Sequence, residues 1–188
     1  MMMATTFSRD LFMHTLRRLL VMSFFALALL ATSFASTASA QTPDFSGSYV
    51  LDEAASDDFL AAFEPALEEM NAIKRALARR YLKKSDGPDT RMSIEQSDET
   101  FTVQGEDRTP VAIPLSGERI SREGEDGKTV HFTAGRRGEV VRVTMFTEGG
   151  PFRTDYRMLD DGRMEIRVRV ENEHLPLPVT YRLVYRAQ

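Results

Sequence analysis

Two periodicities divide the chain. Between residues 56 and 84 apolar side chains recur every three or four positions, whereas at 45–52 and from residue 90 onward they alternate with polar ones. The alternation is cleanest late in the chain. Met164, Ile166, Val168 and Val170 share one face, and Arg163, Glu165, Arg167, Arg169 and Glu171 share the other. Val179, Tyr181, Leu183 and Tyr185 oppose Thr180, Arg182, Val184 and Arg186 in the same way, and Phe152, Tyr156 and Met158 oppose Arg153, Asp155 and Arg157. A period of two with one apolar face is the mark of a strand buried on one side and wet on the other.

The runs predict strands near 45–52, 90–96, 100–104, 109–115, 118–123, 128–134, 138–147, 151–159, 163–171 and 178–186. Turn residues separate them: Ser97-Asp98, Gly117, Asp126-Gly127, Gly135 to Gly138, Gly149-Gly150 and Asp161-Gly162. Such short spacings predict an antiparallel meander. A meander this long leaves two bare edges unless it curls and closes. The expected fold is therefore mainly β, an antiparallel up-and-down barrel of about ten strands.

The helical insert, 56–84, follows the first strand. Ser56 is the expected N-cap of a short helix carrying Phe59, Leu60 and Phe63. Pro65 is expected in the first turn of a second helix, where its missing N–H costs nothing. Ala66, Met70, Ile73, Leu77 and Tyr81 would form one apolar stripe along that helix. Glu68 and Glu69 near its start and Arg79, Arg80, Lys83 and Lys84 near its end suit the helix dipole. At roughly twenty residues it would be about 30 Å long, enough either to cap the barrel or to pack along its side.

The first forty residues read as a secretory signal rather than as part of the fold. Arg9, Arg17 and Arg18 supply the positive start, Leu19 to Ala31 the apolar run, and Ala38-Ser39-Ala40 a small-residue cleavage site. The apolar run is shorter than the roughly twenty residues that span a bilayer. Cleavage after Ala40 leaves one domain, 41–188, with Gln41 at its start and the helical insert inside it. The expected location is periplasmic or secreted.

Net charge is −4 over the whole chain and −6 once the three leader arginines and Asp10 are removed, which argues against a nucleic-acid binder. There is no cysteine, so thiol metal sites, disulfides and a lipid anchor at the cleavage site are all excluded. His131 and His174 stand apart, without carboxylates at ligand spacing, and no metal or other cofactor is expected. The acid pairs Asp57-Asp58, Glu125-Asp126 and Asp160-Asp161 fall at a cap or in turns. No nucleophile elbow or phosphate loop appears, so no enzyme activity is expected.

What remains is aromatic. Tyr49, Phe101, Phe132, Phe152, Tyr156, Tyr181 and Tyr185 lean inward and are candidates to line a ligand cavity, with ordinary barrel core as the competing interpretation. Lys74, Arg75, Arg79, Arg80, Lys83 and Lys84 form a basic end that can meet anionic lipid headgroups or simply face water.

The order of these elements resembles a known group. One strand with Phe45-Ser46-Gly47-Ser48-Tyr49, a helical pair, then nine hairpin-linked strands ending in Tyr181-Arg182-Leu183-Val184-Tyr185-Arg186 is similar to the fatty-acid-binding proteins and, more broadly, to the calycin group with its lipocalins. The start also resembles small exported bacterial proteins that begin Asp-Phe-Ser-Gly-Thr-Trp. Two departures stand out. Tyr49 replaces a tryptophan, and the alternation turns Arg182 and Arg186 outward, where the fatty-acid binders hold a carboxylate with an inward arginine. The resemblance implies non-catalytic binding of a small hydrophobic or amphipathic ligand inside the barrel, with transient membrane contact through the basic helix end. The alternative is an envelope interaction or inhibitor-type protein with a solid barrel core and binding surface loops. A cavity of roughly 300 Å³ or more would separate them.

Overall fold

A computed structural model describes residues 43–85, 87–124 and 127–188. The chain divides into two units, Met1–Gln41 and Thr42–Gln188. The expected signal, from Arg9 to the cleavage site at Ala40, lies outside the described residues, as do Glu125 and Asp126. All described strands and helices belong to the second unit.

Ten antiparallel strands form one sheet: β1 (Gly47–Leu51), β2 (Arg91–Gln96), β3 (Thr100–Gly105), β4 (Val111–Pro114), β5 (Ile120–Glu123), β6 (Thr129–Arg137), β7 (Val140–Thr147), β8 (Gly150–Met158), β9 (Met164–Val170) and β10 (Val179–Ala187). Their order is β4-β3-β2-β1-β10-β9-β8-β7-β6-β5. β1 pairs with β2 on one side and with β10 on the other, so the first strand joins the two halves of the meander. The two ends of the sheet meet at β4 and β5. These are not adjacent in the hydrogen-bonded order, and an isolated Ser116–Gly135 bridge ties the β4–β5 connection to β6. The barrel is nearly closed, with a seam between β4 and β5.

Gly47 and Tyr49 act together at the start of this barrel. Gly47 has φ +154°, a backbone conformation that favours glycine, and a Cβ there would meet the Tyr49 ring in ordinary van der Waals contact, at 3.5 Å. The Tyr49 hydroxyl then reaches back and donates to the Phe45 carbonyl at 2.8 Å, which fixes the bend. Phe45 itself is fully buried.

The helices depart from the sequence expectation in three ways. α1 spans Phe59–Glu68 and is capped by Asp58, whose carboxylate accepts from the Leu60 and Ala61 N–H groups. Ser56 is engaged elsewhere. Beyond the end of β1, its hydroxyl accepts from Val184 N–H on the bared edge of β10, and Asp57 accepts from Arg182 N–H beside it. Pro65 lies inside α1, not at the start of a second helix. Burial of Phe63, Ala66 and Leu67 holds α1 continuous through the one hydrogen bond that proline lacks.

The third departure is the apolar stripe. α2 begins afresh at Asn71, whose side chain accepts from Lys74 N–H, and covers only Ala72–Leu82. Restarting the helix resets its rotation, so Ala66 is buried in α1 while Ile73, Leu77 and Tyr81 are 84, 69 and 75 % exposed. Ala78 and Leu82 pack inward instead. Arg75 joins the helices: its guanidinium donates to the carbonyls of Leu67, Glu68 and Met70 at 3.0, 2.8 and 2.9 Å, closing the C-terminus of α1. Arg79 pairs with Glu64 on α1.

α1 packs against β10 at the end of the barrel. Phe59 and Phe63 bring their rings to 5.5 and 6.4 Å from inward-facing Tyr181, so the helical pair caps the barrel and does not run along its outer wall. One turn also shifts. β6 continues to Arg137, and the β6–β7 turn is at Gly138, φ +61°, not at Gly135. Gly135 is an in-strand position, bridged to Ser116 where the β4–β5 connection crosses β6.

Candidate functional site

The strand register stacks the interior in rows across β6 to β10. Nearest the helices is a row of Phe132, Met145, Phe152, Val170 and Val179. Below it come Ala134, Val143, Thr154, Val168 and Tyr181, then Arg136, Val141, Tyr156, Ile166 and Leu183, and then Met158, Met164 and Tyr185. On β6 to β8 the apolar side chains become more buried from the first row to the third, although Arg136 and Met158 stay half-buried. Phe132, Met145 and Phe152 are half-buried, whereas Val141, Tyr156, Ile166, Met164 and Tyr185 are buried.

The lower rows form a sealed floor. Phe45 meets Phe101 edge-on at 6.0 Å, and Phe101 meets Tyr156 at 5.0 Å. Tyr185 donates its hydroxyl to the Asp89 carbonyl at 2.8 Å. The Asp89 carboxylate lies over Gly105, where a Cβ would come within 2.5 Å of it, and pairs with Arg108 at 3.3 Å. Burial, and then the Asp89 charge, push the phenols of Tyr156 and Tyr185 well above their ordinary range. Burial alone pushes Tyr181 up to about 12. These phenols are neutral at any physiological pH.

The upper rows are covered on one side only. Val170 and Val179 are buried beneath α1 and the β9–β10 connection, with Leu175 packed against the core. On the β5–β8 side, beside the seam, Ile120, Phe132, Met145 and Phe152 keep contact with solvent. The seven aromatics singled out from the sequence therefore separate. Tyr49, Phe101, Tyr156 and Tyr185 belong to the packed floor, and Phe132, Phe152 and Tyr181 lie in the upper rows.

One residue of this region was not singled out from the sequence. In β5, Ile120 pairs with Phe132 and Arg122 with Val130, so Arg122 shares the inner face with Ile120. Ser121 and His131 form the outer pair, at 2.8 Å. Arg122 is half-buried and, among the described residues, makes no hydrogen bond or ion pair. The parity of Ile120-Ser121-Arg122-Glu123 carries this information, but four residues are too short a run to separate its faces by eye.

The outer wall of β7 to β10 is an ion-pair lattice. Arg142 grips Asp155 with two hydrogen bonds of 2.6 Å. Glu171 joins Arg153 and Arg169 at 2.9 and 2.7 Å, and Glu165 joins Arg167 and Arg182 at 2.8 and 3.6 Å. Arg182 and Arg186 thus face outward, the latter toward Asp52 at 3.5 Å. A shallow pocket of about 420 Å³ opens on the rim, between the β7–β8 turn and Glu171 to Glu173. Among the described residues no group of carboxylates and histidines has metal-binding geometry.

No family model matches the chain, and no curated protein matches it. Among solved structures it is similar to the REP1-NXSQ fatty acid transporter and to a point mutant of that protein. Each is 14 % identical with a TM-score of 0.49, over 76 % of this chain and 95 and 97 % of theirs.

Proposed function

We propose that the protein is an exported, non-catalytic carrier that holds a small hydrophobic or amphipathic molecule in the upper interior of its barrel. The observation that carries this reading is not a cavity, since the pocket of about 420 Å³ is on the rim, but the contrast within one interior: a floor of buried aromatics beneath inward apolar side chains, Ile120, Phe132, Met145 and Phe152, that are left half-buried beside the seam. A barrel that served only as a scaffold would gain by burying them, at roughly 1.5–3 kcal/mol for each fully buried large apolar side chain.

Delivery takes place at an anionic membrane, through the exposed face of α2. Ile73, Leu77 and Tyr81 supply an apolar stripe, and Lys74, Arg80 and Lys84 flank it on the same face. This is the composition of a helix that lies in a bilayer interface. Arg75 and Arg79 are not part of that surface, because both are engaged by α1.

Titration of the full chain with N-phenyl-1-naphthylamine tests the carrier reading. Saturable fluorescence enhancement, lost in Phe152→Asp, is expected; no enhancement by the folded protein overturns it. For the membrane component, co-sedimentation with phosphatidylglycerol-containing vesicles is expected, with none on pure phosphatidylcholine.

A second reading, an interaction or inhibitor-type protein, is favoured by the rim pocket of about 420 Å³, which lies outside the barrel among Glu148, Glu171 and Glu173. It predicts a folded protein that ignores the dye.

A further inference from the structure

We infer that Arg122 holds the anionic head of a single-chain amphiphile at the mouth of the barrel, so that the cargo lies head-out with its chain on Ile120, Phe132 and Phe152. The inference rests on the carrier reading and adds an orientation and a head-group class to it.

The arginines of β7 to β10 all face the outer wall, where Arg182 and Arg186 are tied to Glu165 and Asp52. Of the two arginines that the register turns inward on β5 and β6, Arg136 is near the floor and donates to the Ser97 carbonyl at 3.4 Å. Its neighbours there, Val141 and Tyr156, are buried. Arg122 is at the opposite end, one pair above the Ile120–Phe132 pair, half-buried and without an ionic partner among the described residues.

An unpaired guanidinium on an apolar, part-desolvated surface is costly unless something anionic meets it. Its planar donors suit a carboxylate, sulfate or phosphate monoester. Near the floor, Arg136 is already turned to the Ser97 carbonyl and lies within reach of the Asp44 charge, so it offers such a head no comparable site. There the Asp89 carboxylate already pairs with Arg108, and the nearby phenols are neutral. An anion carried to the floor would lose its hydration and meet a carboxylate. Placed at Arg122 it keeps one side in water while its chain descends along Phe132 and Phe152.

The test uses the full chain and three probes of one chain length that differ only in the head: dodecanoate, dodecanol and dodecyltrimethylammonium. Affinities are read by displacement of N-phenyl-1-naphthylamine. The unaltered protein is expected to bind dodecanoate most tightly. Arg122→Gln should weaken dodecanoate about tenfold, the scale of one charged hydrogen bond, and leave dodecanol unchanged. Arg122→Lys should restore part of the loss, and Arg137→Gln, at the exposed end of β6, should change nothing. Equal dodecanoate binding by Arg122→Gln and the unaltered protein overturns the assignment to Arg122 while the carrier reading stands. Failure of the unaltered, folded protein to bind dye or any probe overturns the carrier reading and this inference with it. Circular dichroism of each variant separates loss of binding from loss of fold.

Discussion

The floor and the mouth of this barrel are built from the same alternating strands, yet they solve different problems. At the floor, Phe45, Phe101, Tyr156 and Tyr185 interlock and their exposure is nearly nil, with Phe45 and Phe101 at 0 %. At the mouth, Phe132 and Phe152 occupy equivalent inward positions on β6 and β8 but stay half-open, because α1 and the β9–β10 connection cover only the opposite side. The difference lies in what covers the row, not in the row's own composition. An inward aromatic is therefore core or lining according to elements distant in sequence.

The largest effect is expected at alkaline pH, where two floor phenols, Tyr156 and Tyr185, act together with Tyr181 of the upper rows. A phenol whose folded-state pKa is raised contributes its full stability below the unfolded value near 10, and that contribution is lost as pH rises through the folded value. Tyr181, at about 12, sets a window of pH 10–12, and Tyr156 and Tyr185 extend it upward. Within its window each such phenol takes away about 1.4 kcal/mol of stability per pH unit as the unfolded chain ionises, an upper limit for half-buried Tyr181. Urea melts between pH 8 and 12 should show stability level to about pH 10 and then falling steeply. A flat profile to pH 12 would mean that none of the three phenols is sealed, neither Tyr156 and Tyr185 at the floor nor Tyr181 above it.

Substitution makes the same comparison residue by residue. Phe101→Ala should cost about 3–5 kcal/mol, since the hole left between Phe45 and Tyr156 cannot collapse. Phe132→Ala should cost about 1 kcal/mol, because its ring is already partly hydrated. Equal costs in urea denaturation would erase the distinction between floor and mouth.

Much of this architecture was legible in the chain. The strict alternation of 163–171 and 178–186 gave the inner and outer faces of β9 and β10, and the outward turn of Arg182 and Arg186 followed from parity. Long strands repeat the signal enough times to fix it. The helices were less legible because a period of 3.6 continues to look regular across a break. Ala66 to Tyr81 reads as one stripe, and only the cap at Asn71 and the three carbonyls taken by Arg75 show that it is two. The division of the seven aromatics between floor and mouth was not legible at all, since it depends on where α1 lands. Arg122 was missed for the opposite reason: its strand has only four residues.

Arg75 offers a smaller effect that isolates the lid from the barrel. Arg75→Ala removes the three hydrogen bonds that close α1 and should cost about 1–2 kcal/mol. Hydrogen exchange should show the loss in α1 and α2, with β6 to β9 unchanged. Lys83→Ala, exposed just past the end of α2, should be neutral within about 0.5 kcal/mol.

The smallest stability effect carries the most information about α2. Ile73 and Leu77 face water, so the double change Ile73→Gln with Leu77→Gln removes no packing within the described fold. Glutamine and leucine have nearly equal helix propensities, and a change within about 0.5 kcal/mol is expected in urea. Leu82→Gln, which carries the same chemistry to the inward side, should cost more because Leu82 packs against the core. A folded protein of unchanged stability that no longer sediments with phosphatidylglycerol vesicles would assign the stripe to the membrane. A loss greater than about 1 kcal/mol would instead mean that the stripe is covered in solution by protein, and the contrast between the inward and outward faces of α2 would fail.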